Sequence, residues 1–415
     1  MRTATQALAL SLLLPAAALA NGYDVPNVNP RDLALAASAT AAQVDAESAY
    51  ANPAALSKLS GLHLSLAASL LDNRTEWNGP SSGDLAGKSS HTQFKPAYPV
   101  SLFAAYGFPV GGHAAGVGLG MNVPAGGNVY YPDDWAGRGR IITVDRKIYG
   151  FYLTGGLELL EGLRIGGGAV YYYGTEYLKQ GIQPFPDAYG ELSTKGGAFS
   201  YDLAAEYKLA PIPLTLAADY KYKGTMKLSG NGHFVVPEGL LPGSATPPVD
   251  QGVKHDLTYP AVLNVGAAYR VTPPVLITAG FTYNWYSVYK SDVFQGDKGT
   301  SITVQRNYKN GRTFRLGGEW DAARALQLRA GVLRDLSGLD TDTYSATLPD
   351  GNAWAAALGL GYSLQRDLAI QAAFFYAWLD KVTVTGDQEL PGSYRTNVWI
   401  ASLGLTWRTD LGGGR

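Results

Sequence analysis

Short turns alternate with long loops along most of the chain, and that rhythm restricts what it can fold into. Fourteen strand-like runs are legible, at about 62–71, 96–107, 114–123, 141–158, 164–177, 196–209, 214–228, 253–270, 275–290, 301–320, 326–336, 353–364, 368–385 and 394–407. "PVGGH", "ELLEG", "APIP", "TPP", "DAARA" and "LQRD" are short connections of Gly, Pro or charged residues. Between them lie longer ones, among them 72–95, 124–140, 178–195, 229–252 and 337–352. An even strand number with tight turns on one side and long loops on the other is the pattern of an outer-membrane β-barrel.

Within the runs, side chains alternate with the period of a strand. "LAIQAAFFYAWL" sets Leu368, Ile370, Ala372, Phe374, Tyr376 and Trp378 on one face and Ala369, Gln371, Ala373, Phe375 and Ala377 on the other. "LQLRAGVLRD" separates Leu326, Leu328, Ala330 and Val332 from Gln327, Arg329, Gly331 and Leu333, so that the second face carries a charge. In a soluble sandwich the apolar face would point inward, and in a membrane barrel it points to lipid. The turn spacing decides for the barrel. "VYYYGTEY" at 170–177 and "YNWYSVY" at 283–289 suit the aromatic girdles at the membrane interfaces.

Composition agrees. No later stretch offers ~18 consecutive apolar residues, so the chain is not expected to cross a membrane with helices. The net charge is −1, which points to no nucleic-acid partner, and the absence of cysteine removes disulfides and thiolate metal sites. Glycine, at 51 residues, is well above its usual share of about 7%. Residues 1–20, with Arg2, an apolar stretch from Ala7 to Leu14 and Ala18-Leu19-Ala20 at the end, read as a signal peptide. The expected location is therefore the outer membrane of a Gram-negative bacterium, with both termini on the periplasmic side.

Residues 21–61 do not alternate. They hold two Asn-Pro steps, Asn29-Pro30 and Asn52-Pro53, each placing a capping residue before a proline that needs no amide donor at the first helical position. Two short helices are expected, near 30–42 and 53–60, with Gly61 ending the second. Helices this short are marginal in water and need a cavity to dock in.

The sequence resembles the FadL/TodX family of outer-membrane transporters for long-chain fatty acids and other hydrophobic compounds. The resemblance rests on "ESAYANPAALSKLSG" near the mature N-terminus, "TFRLGGEW" with "LQLRAGVLRD", and "LPDGNAWAAALGLGYSLQRDLAIQAAFFYAWLD" at 348–380. It implies a 14-stranded antiparallel barrel over 62–407, a luminal hatch (plug) over 21–61 that includes Asn52, Pro53 and Ala54, and a short tail at 408–415. It also implies capture outside, passage to a site in the lumen, and sideways release into the membrane beside a kinked third strand. Pro124, Gly126 and Gly127 are the residues at which pairing should fail here, and two readings stand: a lateral gate, or the opening of the loop.

The long loops of the resemblance's capture groove correspond to Ile182, Phe185 and Tyr189, then Phe234, Val235, Val236, Leu240 and Leu241. An exposed apolar cluster in such loops either binds a ligand or packs against itself. Arg138, Arg140, Arg306, Lys309 and Arg312 are candidate contacts for a carboxylate head group.

No cofactor or metal is expected and the chain does not read as an enzyme. "GPSSG" at 79–83 matches Gly-x-Ser-x-Gly, but it lies in a Gly/Ser loop and lacks the strand, sharp turn and helix that the motif needs. His63, His91, His113, His233 and His255 show no metal-binding spacing. The expected partners are a fatty acid or other hydrophobic small molecule, outer-membrane lipid and lipopolysaccharide, and the barrel-assembly machinery, with the protein a monomer. The alternative is a porin-like channel for polar solutes.

Overall fold

A computed structural model describes residues 24–26, 29–237, 249–299, 301–385 and 390–409. Residues 1–20, which the sequence leads one to expect as a signal peptide, and the end of the tail at 410–415 lie outside the described residues. Fourteen antiparallel strands form a closed barrel. They are β1 (Gly61–Asn78), β2 (Ser89–His91 and Val100–Val110), β3 (His113–Tyr130), β4 (Thr143–Leu160), β5 (Leu163–Gly181), β6 (Tyr189–Leu209) and β7 (Leu214–Lys221 and Gly224–Val235). Then follow β8 (Gln251–Tyr259 and Val262–Thr272), β9 (Val275–Asn284 and Ser291–Gly296), β10 (Ser301–Gln305 and Gly311–Ala323), β11 (Leu326–Leu336), β12 (Ala353–Ser363), β13 (Leu368–Leu379 and Val382–Val384) and β14 (Gly392–Thr409).

Closure comes from β1 pairing with β14 along its whole length, from Leu62 opposite Thr409 to Asn78 opposite Ser393. The barrel therefore has no free lateral edge to template aggregation. β14 runs two residues beyond Trp407, so part of the tail belongs to the wall. At the short-turn end, Gly111 and Gly112 both adopt positive φ, 57° and 87°, between the paired Val110 and His113. That conformation closes a two-residue hairpin and is open to glycine with little strain.

The alternation resolves as a membrane barrel's does. Leu203, Leu316, Leu358, Phe374 and Leu403 are exposed on the outer wall, while Arg329, Glu319, Asp202, Asp219 and Glu206 are buried within. Apolar side chains face outward because hydrocarbon is the solvent there, and charges collect where other polar groups can pair with them. Lys227 and Asp256, paired at 2.7 Å on the outer surface, mark where the lipid-facing band has ended and the strands continue beyond the membrane.

Residues 24–26 and 29–60 fill the lumen. Asn29 accepts a hydrogen bond from the Arg31 amide at 2.8 Å and caps the helix Pro30–Ala34, as the sequence predicts. Asn52 behaves differently. It makes no cap, and the segment it precedes, Pro53–Lys58, is a 3-10 helix. The first expected helix is also shorter, because Ala36 and Ala37 take positive φ and turn the chain before a 3-10 turn at Ala39–Ala42. A further helical turn, Ser48–Ala51, was not anticipated.

Glycines explain how so much chain fits inside. A Cβ on Gly107 would lie 2.0 Å from the Leu59 carbonyl oxygen, on Gly116 2.3 Å from that of Leu56, and on Gly156 2.3 Å from that of Pro53. On Gly166 it would lie 2.3 Å from the Ala54 nitrogen, and on Gly359 2.5 Å from the Ala34 Cβ. These contacts are with main chain or with a Cβ, so no flexible side chain can move aside. The inner wall carries hydrogen atoms where the hatch needs room, and Leu33, Leu35 and Leu56 are fully buried in return. Each such leucine contributes roughly 1.5–3 kcal/mol to docking.

Gly166→Val should therefore leave the barrel assembled, since valine suits a strand, but should expel the Pro53–Lys58 segment. Hydrogen exchange at residues 54–58 would accelerate in this variant and not in Gly155→Val, where the added Cβ meets nothing closer than 3.5 Å. Equal exchange in the two variants would show that the contact is not limiting.

Candidate functional site

The hatch is tied to the wall at two carboxylates. Glu319 accepts from Arg31 at 2.9 and 3.2 Å through both oxygens and from Arg329 at 2.7 Å. Arg31 also donates to the Ala42 carbonyl at 2.9 Å, which closes the first half of the hatch on itself. Glu206 receives Asn52 Nδ2 at 2.9 Å, Lys58 at 3.0 Å and Arg164 at 3.4 Å. Asn52 donates as well to the Thr40 carbonyl. Its work is thus to bridge two hatch turns and the wall. Breaking a buried pair of this kind costs roughly 3–5 kcal/mol, because the remaining charge is left without compensation.

Above the hatch lies a cavity of about 130 Å³. One side is apolar, with Leu333, Ala353, Phe375, Ala377 and Val398. The other is polar, with Lys221, Asn264, Thr282, Asn284, Thr313, Arg315 and Asp335, and Asp24 and Tyr50 come from the hatch. Lys221 is held by Asp202 at 3.2 Å and Asp219 at 2.5 Å, and its ammonium lies 4.8 Å from the centre of the Tyr50 ring. Burial raises the Asp24 carboxyl to about 7, although hydroxyls of Tyr259 and Tyr286 bond to it and pull the other way.

Beside this cavity the wall is incomplete. β2 and β3 are paired only as far as Leu102 opposite Met121. Beyond that point residues 92–99 carry Pro96 and Pro99, which cannot donate to a ladder. On its other side β3 stays paired with β4 but shifts register between Asn122 and Ala125, around Pro124. Gly126 follows with φ 158°, where a Cβ would lie 2.6 Å from the Arg146 carbonyl oxygen. "VPAGGN" therefore does not cut the strand off or merely open a loop: residues 125–130 remain in the wall. The hatch covers the weak seam from within, with the Val25 amide donating to the Pro124 carbonyl at 3.0 Å and Asp24 bridging Ala125.

The extracellular mouth is closed by an apolar lid. Tyr131 stacks on Trp135 at 3.8 Å between ring centres, Trp77 meets Trp135 edge-on at 6.0 Å, and Phe234, Phe294, Tyr344 and Tyr394 are buried in the same cluster. Ile182 and Phe234 are thus packed rather than exposed, while Phe185, Tyr189 and Val236 are half-buried. Leu240 and Leu241 lie outside the described residues.

The candidate head-group cations are differently occupied. Arg138 donates to the carbonyls of Asp133, Phe185 and Pro186 and so pins one loop to another. Arg306 is buried and paired with Asp292 at 2.9 Å. Arg312 is exposed, in register alternation with the inward-facing Gly311 and Thr313. Lys309 lies 4.0 Å from Asp340. Arg140, half-buried, has no side-chain partner among the described residues. None of these five lines the cavity, where Lys221 and Arg315 stand instead. Sequence reading missed both because their neighbours come from distant strands. An arginine on the inward-facing register of "TFRLGG" was the available signal.

Between lid and cavity runs a buried chain of charges. Arg146 meets Glu176 at 2.9 Å, Glu176 meets His255 at 3.3 Å, His255 meets Asp292 at 3.2 Å, and Asp292 meets Arg306. His255 and Asp292 belong to strand portions beyond the membrane. Burial opposes the His255 imidazolium, but Glu176 and Asp292 on its two nitrogens prevail and raise it to about 9. Burial also opposes the Asp292 carboxylate, and Arg306 with His255 holds it well below the usual carboxylate range.

A closed antiparallel barrel, apolar outside, charged within and filled by its own N-terminal segment, defines a plugged outer-membrane protein. Residues 11–408 match the family model described as outer membrane protein transport protein (OMPP1/FadL/TodX), and the chain belongs to that family. It is 25% identical over 407 residues to a putative outer membrane protein of Neisseria meningitidis, spanning 86% of this chain and 85% of that one. A Pseudomonas aeruginosa FadL homologue superposes with a TM-score of 0.82 at 20% identity, covering 93% of this chain and 99% of that one. The Pseudomonas putida toluene transporter TodX gives 0.74 at 14%, covering 94% and 99%. The expected fold, family and outer-membrane location agree with these findings.

The charge chain carries a pH dependence whose sign follows from the two shifts. The raised His255 contributes stability that is complete below its ordinary 6.5 and is lost as pH rises through about 9, while the depressed Asp292 loses its contribution only under strong acid. Cleavage of the extracellular loops by an alkaline-active protease should therefore increase above about pH 9. In His255→Gln the rate should already be high at neutral pH and show no step there.

Proposed function

We propose that this protein takes up hydrophobic molecules passively, through the hatch-filled lumen, and releases them sideways into the outer membrane between β2 and β3. The observation that carries this reading is the seam above Met121, where the ladder between β2 and β3 stops and the hatch residues Asp24 and Val25 stand in for the missing partner. Backbone groups facing lipid must be paired, so a break in the wall at this point needs a substitute. A segment held by few hydrogen bonds can supply one and withdraw it.

Pro124, Gly126 and Gly127 form the gate in this reading, and Asn52, Pro53 and Ala54 form the part of the hatch that stays anchored. Molecules arriving from outside meet the lid at Ile182, Phe185, Tyr189, Phe234 and Val236, and its apolar side chains exchange contacts with one another for contacts with the ligand. Long-chain fatty acids belong to the range that the family resemblance implies. Export by a signal peptide over residues 1–20, insertion by the barrel-assembly machinery and function as a monomer among outer-membrane lipid and lipopolysaccharide complete the proposal. A porin for polar solutes is disfavoured, because residues 24–26 and 29–60 occupy the lumen and aromatic rings pack across the mouth. The family is one of transport proteins, and no catalytic role is assigned; Ser81 sits exposed in a bend of the loop after β1.

A disulfide across the seam tests the gate. Residues opposed across an antiparallel bridge have Cα atoms about 4.5–5.5 Å apart, which suits a disulfide. Asp24→Cys with Ala125→Cys, in a chain that has no other cysteine, should block hydrophobic uptake into cells when oxidised and restore it on reduction. Uptake unchanged by oxidation, with the bond verified by mass spectrometry, would remove the seam from the route.

A further inference from the structure

Three lysines stand together on the outer wall at the long-loop end of the barrel. Lys195 on β6 and Lys254 on β8 both lie opposite Ser229 of β7, and Lys227 is two residues along β7 on the same face. Register therefore sets Lys195 and Lys254 two strand spacings apart, roughly 9.6 Å. All three lysines are exposed, whereas Thr194, Leu228 and His255, one residue along on each strand, are buried behind them. Charge around them is uneven. Lys227 pairs with Asp256 at 2.7 Å, while Lys195 and Lys254 make no ion pair among the described residues. Asp297, the next carboxylate along, lies over Gly252 without reaching either of them. The patch keeps an excess of positive charge.

Toward the membrane from Lys195, the same face of β6 turns apolar, with Phe199, which is 80% exposed, and then Tyr201 and Leu203. Gly197 stands between and adds no side chain, and Tyr171 of β5 packs beside Phe199 at 4.9 Å between ring centres. Cations above an aromatic surface on one strand suit an amphiphile; a soluble anion gains nothing from the lower half. Depth agrees with this. At a strand tilt of roughly 35–45°, Lys195 and Lys254 differ in height by about 6 Å. The headgroup layer of one leaflet is about 5–7 Å thick, so both ammoniums reach it. A headgroup with two phosphates can engage the two lysines separately, with Lys227 and the Ser229 hydroxyl between them as further donors.

We infer that the outer face of β6 to β8 binds a lipid of the outer leaflet whose headgroup carries two phosphates, as lipopolysaccharide does. The phosphates lie on Lys195 and Lys254, and the acyl chains run along Phe199 and Tyr201. This inference rests on the outer-membrane location and is independent of the uptake reading.

The test is native mass spectrometry of the folded chain in detergent micelles, titrated with bisphosphorylated lipid A, with its dephosphorylated form and with phosphatidylglycerol. Bisphosphorylated lipid A should bind at least about tenfold more tightly than either of the others. Lys195→Gln and Lys254→Gln should each weaken it about fivefold, the effect of one cation beside anionic lipid, and together about 25-fold. Lys208→Gln removes the same charge from the periplasmic end of β6 and should leave binding unchanged. All variants are checked for assembly by heat-modifiable migration, which substitutions at exposed positions should not disturb. Equal binding of the two lipid A forms, or the same affinity in the Lys195 and Lys254 variants as in the unaltered chain, would overturn the inference. Equal retention of phosphatidylglycerol would show that the face does not read two phosphates, and full displacement by inorganic phosphate would reduce it to a simple anion site; either result would also overturn it.

Discussion

The fit of the hatch backbone against a wall stripped of side chains is the contact on which the rest depends. A barrel of this width encloses a lumen that would otherwise hold water, and here it is filled by helical turns too short to persist in water. They persist because glycines such as Gly107, Gly116 and Gly166 let main chain meet main chain, and because Glu206 and Glu319 neutralise the cations that the hatch brings in. Packing sets position and the ion pairs set register. Neither alone would do both, since small apolar contacts slide and a lone ion pair does not specify depth.

That division gives the hatch unequal ends. Its later part, from Asn52 to Leu59, is enclosed by β2 to β6 and tied to Glu206, whereas Asp24 and Val25 meet the seam by one main-chain hydrogen bond and the bridge to Ala125. A plug that is firm at one end and light at the other can stay in the barrel while its light end moves. In the proposed route no wide aqueous channel is needed, and the rings of Tyr50, Phe103 and Tyr152, packed on one another, would give hydrophobic cargo an apolar surface on its way to the gap.

Much of the barrel was legible because lipid imposes one rule on every strand. All fourteen runs correspond to strands, and Arg329, on the second face of "LQLRAGVLRD", faces the lumen as the inverted pattern requires. The ends were less legible: β1 continues to Asn78 and β6 begins at Tyr189, since beyond the membrane neither face has to be apolar. Local chemistry likewise revealed the Asn29 cap but not the role of Asn52, whose partner Glu206 is 154 residues away. Arg306 looked free for a head group because Asp292 reaches it from a neighbouring strand. The excess of glycine was visible at once, yet its purpose depended on which glycines face the hatch, and that requires the register of the closed barrel.

Electrical conductance tests the central claim, that the hatch closes a barrel otherwise wide enough to conduct, most directly. In planar bilayers the intact chain should show no sustained ion current, and a variant lacking residues 24–58 should show large, steady channels from a barrel that still migrates as a folded species. A sustained current through the intact chain, or a barrel that stays tight without its hatch, would contradict the account.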